Sequence, residues 1–165
     1  MKTLLALVLS TFVGLTIVPA ARARISDDQI KTAGGIKLTT ELLDKMEKVA
    51  KAVTADEAAR TELAAVKATE HEATDAAIYS KCPKAVAHFK EAGITVDEFM
   101  KAMGAMVACL LDESSDLAKS DNETAKANAA FFQANKERCN AVGDAAIAMN
   151  VDPNASDPAK KPSSP

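Results

Sequence analysis

The sequence predicts an all-α fold, an antiparallel bundle of four to five helices joined by short loops. Three observations support this fold class. Apolar residues recur at steps of three and four over long stretches. Ser or Thr is followed three residues later by Glu or Gln at four places, which is the pattern of a capped helix start. Sustained alternation and hairpin signals are missing, so no strand is expected.

The N-terminal segment has the features of a secretory signal peptide. An apolar run over residues 4–18 is followed by a proline and by Ala21-Arg22-Ala23, which fits a small-x-small cleavage site. We expect cleavage after Ala23, which makes residues 1–23 the signal peptide, with cleavage after Ala20 as the alternative. The run is too short to favour a membrane-spanning helix. The sequence therefore predicts a periplasmic or secreted protein without a membrane span in its mature chain.

The mature chain has the length and the charge of one ordinary domain. The leader contains two of the 20 basic residues and none of the 23 acidic ones, so the mature chain carries a formal charge of −5. A mildly acidic chain with both signs interspersed argues against nucleic acid as a partner. We expect one helical bundle domain over residues 24–150, followed by a disordered tail over residues 151–165 that is rich in Pro, Ser and Lys.

The predicted helices follow from the capping motifs and from the apolar stripes between them. The first and fourth residues of these motifs are Ser26 and Gln29, Thr54 and Glu57, Thr95 and Glu98, and Ser120 and Glu123. Pro83 suits the first position of a helix, and Gly93 suits the residue after its end. Beyond the start at Ser26, the predicted helices cover residues 40–53, 55–81, 83–93, 95–119 and 121–150.

Two further features concern the connections between helices. The stretch "TAGGIKL", residues 32–38, is a Gly-Gly break that should pack Ile36 and Leu38 against the bundle. Asn128 and Asn135 lie on the apolar stripe of the last predicted helix. Buried asparagines usually hydrogen-bond to neighbouring backbone, so we expect these two side chains to fix the register of the chain around them.

Two segments carry a family resemblance. The stretches "HFKEAGITVDEFMKAMGAMVACLL", residues 88–111, and "NAAFFQANKERCNAV", residues 128–142, together resemble a group of small exported bacterial all-helical proteins. In that group a Gly-(Leu or Ile)-Thr helix start is followed downstream by an Asn-x-x-Phe-x-x-x-Asn helix. The resemblance implies an exported, all-helical protein and no particular activity. The cysteines are not part of this pattern.

Sulfur-containing side chains occupy every third position of one predicted helix: Met100, Met103, Met106 and Cys109. Sulfur ligands select Cu(I), but each step of three residues turns the helix face by about 60°, so the four side chains cannot converge on one ion. The core arc of this helix contains Met103 and Met106 together with Phe99, Val107 and Leu110. Met100 lies at the edge of that arc, and Cys109 lies outside it. We therefore expect core packing rather than metal binding.

Signals for catalysis are weak. The sequence has no motif for a metalloprotease, for haem attachment, for a phosphate-binding loop or for dinucleotide binding. It contains two histidines, His71 and His88. We predict neither an enzyme nor a cofactor. His71 with Asp75 one turn away would suit a divalent metal, although a solvated helix surface is the favoured interpretation. The alternative function is a copper-handling protein that uses Met100, Met106, Cys109 and His88.

Three cysteines in an exported protein permit one disulfide and one free thiol. Two criteria for the pairing disagree. Height along neighbouring antiparallel helices favours Cys82 with Cys109, whereas inward direction favours Cys82 with Cys139. Because a disulfide requires converging side chains, we predict the pair Cys82 with Cys139, worth about 2–4 kcal/mol. Cys109 would remain a free, packed thiol.

Taken together, these features predict a structural, adaptor-like or chaperone-like protein that binds through helix surfaces. The chain has no Trp, one Tyr and five Phe, so it has few aromatic residues that could line a large pocket. The expected partner is another protein. Its identity and the oligomeric state are left open by the sequence.

Overall fold

The computed structural model describes residues 25–70, 74–112 and 115–153. All regular secondary structure in this part of the chain is helical and none is strand, so the predicted all-α class is confirmed. The elements are α1 (Asp27–Ala33), α2 (Thr40–Ala55), α3 (Glu57–Thr69), α4 (Asp75–Ser80), α5 (Pro83–Ala92), α6 (Val96–Leu110), a 3-10 turn (Leu117–Lys119), α7 (Glu123–Ala134) and α8 (Lys136–Met149). The described part thus holds eight α-helices rather than four to five.

Both ends of the chain carried predictions that lie outside the described residues. The expected signal peptide, residues 1–23, is one of them, and the expected disordered tail is described only over residues 151–153. Within the described ranges, no helix combines the length and the apolar character needed to cross a membrane.

Two of the four predicted capping boxes are confirmed. The Ser26 and Gln29 side chains exchange hydrogen bonds with each other's backbone N–H at 3.2 and 2.8 Å. The Thr95 hydroxyl likewise accepts from the Glu98 N–H at 3.1 Å, and the Glu98 carboxylate accepts from the Thr95 N–H at 2.9 Å. Each box satisfies orphan backbone donors in the first turn of its helix, α1 and α6 respectively.

The other two predicted boxes are wrong, because a better-placed acceptor lies two residues further on in each case. Thr54 is inside α2, and Asp56 caps α3 by accepting from the Ala59 N–H at 3.0 Å. Ser120 donates to the Leu117 carbonyl at 3.0 Å, and Asn122 caps α7 by accepting from the Ala125 N–H. Asp and Asn cap a helix at least as well as Ser or Thr. The position of Ser or Thr three residues before Glu therefore did not determine where α3 and α7 begin.

The long predicted helices are also shorter in the structure. The segment predicted as one helix over 55–81 forms α3 and α4, and a new cap at Thr74 accepts from the Ala77 N–H at 3.3 Å. The helix predicted to reach residue 119 ends at Leu110. Beyond this end the Asp112 carboxylate accepts from the backbone N–H groups of Asp116 and Leu117 at 2.8 and 3.1 Å, at the start of the 3-10 turn.

The last predicted helix is interrupted at Asn135, between α7 and α8. Asn135 has φ −123° and ψ 25°, and its side-chain amide donates to the Phe131 carbonyl at 2.9 Å. An asparagine that hydrogen-bonds nearby backbone competes with helix continuation. The expected backbone bond of Asn135 is therefore confirmed, and it ends one helix while the next begins.

The core is built from both halves of the chain. Phe89 of α5 lies between Tyr79 of α4 and Phe99 of α6, and its ring centroid is 5.5 and 5.3 Å from theirs in edge-to-face geometry. Helix α2 packs on α5 and α8, while α1 packs on α6 and α7. The apolar stripe that the sequence predicts for α2 includes Leu42, which is partly buried, and five residues that are buried: Leu43, Met46, Val49, Ala50 and Val53.

A buried asparagine holds the connection between α1 and α2. Asn128 of α7 has no exposed surface. Its side-chain oxygen accepts from the Leu38 N–H at 2.8 Å, and its amide nitrogen donates to the carbonyls of Ala33 and Ile36 at 2.6 Å each. Leu38 is buried and Ile36 packs against the core. Both predictions for this region, the packing of the Gly-Gly break and the backbone role of Asn128, are confirmed.

Candidate functional site

An apolar groove lies between α6 and α8 and is called here the α6/α8 groove. It consists of two adjoining depressions of about 460 and 390 Å³ that share Met103, Val107 and Ile147. The α6 wall is formed by Met100, Met103, Gly104, Met106, Val107 and Leu110. The α8 wall is formed by Cys139, Asn140, Gly143, Asp144, Ala146, Ile147 and the following Asn150. Most of this lining is apolar.

Large aliphatic side chains on both walls are exposed. Val107 is 46% exposed, Leu110 53% and Ile147 68%. The prediction that Val107 and Leu110 belong to the core is therefore wrong. Helix α6 is apolar around most of its circumference, its buried residues are largely small, and α1 and α7 pack on it. These small residues are Ala102, Ala105, Ala108 and Cys109.

The sulfur-containing residues of α6 are divided between the core and the groove. Met106 is buried, while Met100 and Met103 are partly buried and pack against the core from the groove side. Cys109 is buried as well. The expectation that Cys109 lies outside the buried face of its helix is wrong, because that face is centred on the alanines rather than on the larger residues.

Both walls are fixed to the rest of the protein. Arg138, in the first turn of α8, donates from Nε to Glu47 at 2.8 Å and from a terminal nitrogen to Asp44 at 2.7 Å, both on α2. These two hydrogen bonds raise the pKa of the guanidinium further above its usual value. On the other side, α6 is held by α1 and α7. The groove is therefore a preformed surface between two supported helices.

The residues of the copper alternative are not all in the groove. His88 lies on α5, where its Nε2 atom is 2.9 Å from the Asp56 carboxylate of α3. Met100 lines the groove, and Cys109 is buried. Across the described ranges, no three His, Cys, Asp or Glu side chains cluster so that they could hold a metal ion. His71, named in the divalent-metal hypothesis, lies outside those ranges.

The three cysteines are buried free thiols, so the predicted disulfide between Cys82 and Cys139 is not formed. Cys82 donates to the Ile78 carbonyl at 3.3 Å, and burial, with a smaller effect of Glu62, raises its pKa. Burial raises the pKa of Cys109 to about 11, with smaller contributions from Asp112 and Cys139. Cys139 therefore lies within electrostatic range of Cys109. All three cysteines are buried, so inward direction does not single out one pair.

Two polar contacts join the α3 region to α5: Asp56, the cap of α3, contacts His88, and the Glu62 carboxylate accepts from the Lys84 N–H at 3.0 Å. The hydrogen bond from His88, followed by those from the backbone N–H groups of Ala59 and Ala58, lowers the pKa of Asp56. Glu91 lies 3.9 Å from the other ring nitrogen of His88. Because Asp56 also caps α3, this single carboxylate connects the start of one helix to the side of another.

We expect the Asp56→Asn variant to lose acid sensitivity relative to the native protein. A carboxyl group whose pKa is lowered by folding stabilises the folded state fully above its unfolded pKa, and this contribution disappears as the pH falls from that value through the lower folded one. Asparagine remains a good cap and does not titrate. Urea unfolding at pH 5, 4 and 3 measures the difference. Equal losses in both proteins on acidification would contradict the role assigned to Asp56.

Comparison with protein-family models, with curated proteins and with solved structures found no match. The function is therefore argued from the groove itself. Sequence reasoning missed Gly143, Asp144 and Ile147 as site residues. One signal for the site was present in the sequence. The predicted apolar stripe of the last helix contains Val142, Ala146 and Met149, and Ile147 is a large apolar residue that lies outside this stripe.

Proposed function

We propose that this protein is an exported, bundle-type helical binding module of the adaptor or chaperone-like kind, and that it holds an apolar segment of a partner protein in the α6/α8 groove. The observation that carries this proposal is the exposure of Val107, Leu110 and Ile147 around one continuous depression. Contiguous apolar surface of this kind is costly to leave in water and marks interaction sites. The signal-peptide features of residues 1–23 support the export part of the proposal.

The chemical character of the lining suits binding rather than catalysis. Methionines such as Met100 and Met103 are unbranched and polarisable, so they adapt to apolar partners of differing shape. The one histidine that the structure describes is engaged by Asp56, away from this lining. Burial raises the pKa of the Cys139 thiol, which works against its use as a nucleophile. We propose no catalytic step.

Two neighbouring leucines provide a matched test. Leu110 lines the groove and is 53% exposed, whereas Leu111 is 59% exposed and does not line it. We expect Leu110→Ser to weaken binding of a helical model peptide by about tenfold, because one leucine contact is worth about 1.5 kcal/mol or more. Leu111→Ser should bind like the native protein. The probe is a fluorescein-labelled 15-residue peptide of Ala and Gln with leucines at positions i, i+3, i+4 and i+7, followed by fluorescence anisotropy.

Circular dichroism of both variants shows whether they remain folded. Equal affinity of the two serine variants would place the binding site elsewhere. Failure of the native protein to bind the peptide at any concentration up to 1 mM would contradict the proposed function, since about 1 mM is the range of even weak, transient recognition.

A further inference from the structure

Gly143 is a glycine that the described fold does not require. It lies in the interior of α8, and a Cβ atom at this position would meet no other heavy atom within 4 Å. Gly104 on the opposite wall is different, because a Cβ there would lie 3.2 Å from the side-chain methyl of Thr32 in α1. Glycine is among the poorest residues for a helix interior. A glycine without an internal reason, facing an open groove, indicates close approach by something outside the chain.

Asp144 is the second feature of the groove. Asp144 lines one of the two depressions, and no other charged side chain lines either of them. It forms no ion pair or hydrogen bond with any part of the chain that the structure describes. Asp97 at the start of α6 lies outside the lining and is paired with Lys101 at 2.7 Å. The groove therefore combines apolar walls with one uncompensated negative charge at its edge.

The occupant can be identified by class from these two features. A second copy of this chain would present the same concave surface and the same carboxylate, so pairing groove to groove would leave both depressions unfilled and bring like charges together. An extended peptide would bring backbone N–H and C=O groups to walls whose own backbone groups are already used within helices. A helix satisfies its own backbone and offers an apolar stripe, which is the occupant that a groove between two helices fits.

We propose that the α6/α8 groove binds an amphipathic helix of another protein, which crosses α8 in close contact at Gly143 and carries a lysine or arginine that pairs with Asp144. This inference rests on the proposed function and specifies its partner. The missing side chain at Gly143 permits a shorter distance between the two helix axes than the usual 8–10 Å. Asp144 is exposed at the edge of the groove, where a cation of the partner pairs with it as the bound helix displaces part of the surrounding water.

Three labelled peptides and two variants test this inference. The peptides share the leucine stripe defined above and differ at two flanking positions, which are Lys, Gln or Glu. We expect the Lys peptide to bind the native protein about tenfold more tightly than the Glu peptide, and Asp144→Asn to reduce that ratio to about twofold. We expect Gly143→Ala to weaken binding of all three peptides by about tenfold, while raising Tm by about 3 °C because alanine favours the helix.

The outcomes separate this inference from the proposed function. If the Gln peptide binds and Leu110→Ser weakens it, but neither Gly143→Ala nor Asp144→Asn changes affinity, the groove is a binding site and the assigned partner is wrong. If no peptide binds the native protein, both proposals fail. Sedimentation equilibrium tests whether a second copy of this chain occupies the groove. A dimer that Leu110→Ser dissociates and Leu111→Ser does not would show this and would overturn the inference. The Tm of Gly143→Ala shows that any loss of binding is not a loss of fold.

Discussion

Replacing Asn128 with alanine should lower the free energy of unfolding by about 3–5 kcal/mol, since each buried backbone group left unsatisfied costs about 1–3 kcal/mol. The side chain has no exposed surface and satisfies three backbone groups, the Leu38 N–H and the carbonyls of Ala33 and Ile36. Alanine can satisfy none of them, and it leaves a small cavity as well. Urea unfolding followed by circular dichroism measures the loss.

Two comparisons make this prediction specific. Asn135→Ala removes a single bond to the Phe131 carbonyl at a partly exposed site, and we expect a loss of at most about 1 kcal/mol. Asn128→Asp keeps the shape and the acceptor for Leu38 but removes both donated bonds, so it should be about as damaging as alanine. A mild effect of Asn128→Asp would show that shape, rather than hydrogen bonding, is what the site requires.

Phe89→Ala should lower the free energy of unfolding by about 3–5 kcal/mol, the range found for removal of a buried aromatic ring. Phe89 is 1% exposed and lies between Tyr79 and Phe99, so its loss leaves a cavity where α4, α5 and α6 meet. Few other aromatic residues are available to fill that space. The measurement is again the midpoint and slope of urea unfolding.

A graded variant separates the two contributions of this ring. Phe89→Leu retains most of the volume and loses the edge-to-face contacts, which are worth about 0.5–1.5 kcal/mol beyond the buried area. We expect a loss of about 1–2 kcal/mol for Phe89→Leu. A loss below 1 kcal/mol for Phe89→Ala would mean that the neighbouring helices collapse into the space, and that the three rings do not form a fixed part of the core.

Features that depend on local chemistry were predictable from the sequence. The apolar stripe of α2, the capping boxes at Ser26 and Thr95 and the end of α5 at Gly93 all follow from residues within one or two turns of each other. Asn128 was predictable in kind, because a buried amide must find backbone partners. Its three partners, which lie 90 to 95 residues away in sequence, were not.

The groove was not predictable because it depends on which apolar side of α6 is covered. Periodicity predicted a core face of large residues, including Val107 and Leu110, whereas the alanines at 102, 105 and 108 are buried in the structure, where α1 and α7 pack on α6. Small residues contribute little to an apolar pattern but allow close approach of helices. The exposure of Ile147 on the facing helix likewise depends on how the helices pack on each other. The apolar pattern of a single helix does not specify that packing.

The hydrogen bonds of Asn128 also set an order in which the fold is completed during translation. Leu38 is synthesised 90 residues before its partner, which at ribosomal rates of about 5–20 residues per second is an interval of roughly 5 to 20 s. During that time the Leu38 N–H and the carbonyls of Ala33 and Ile36 lack the partner that they have in the folded protein. Closing so long a loop also raises the contact order of the chain, which slows folding. The N-terminal helices therefore reach their final positions only after α7 has emerged.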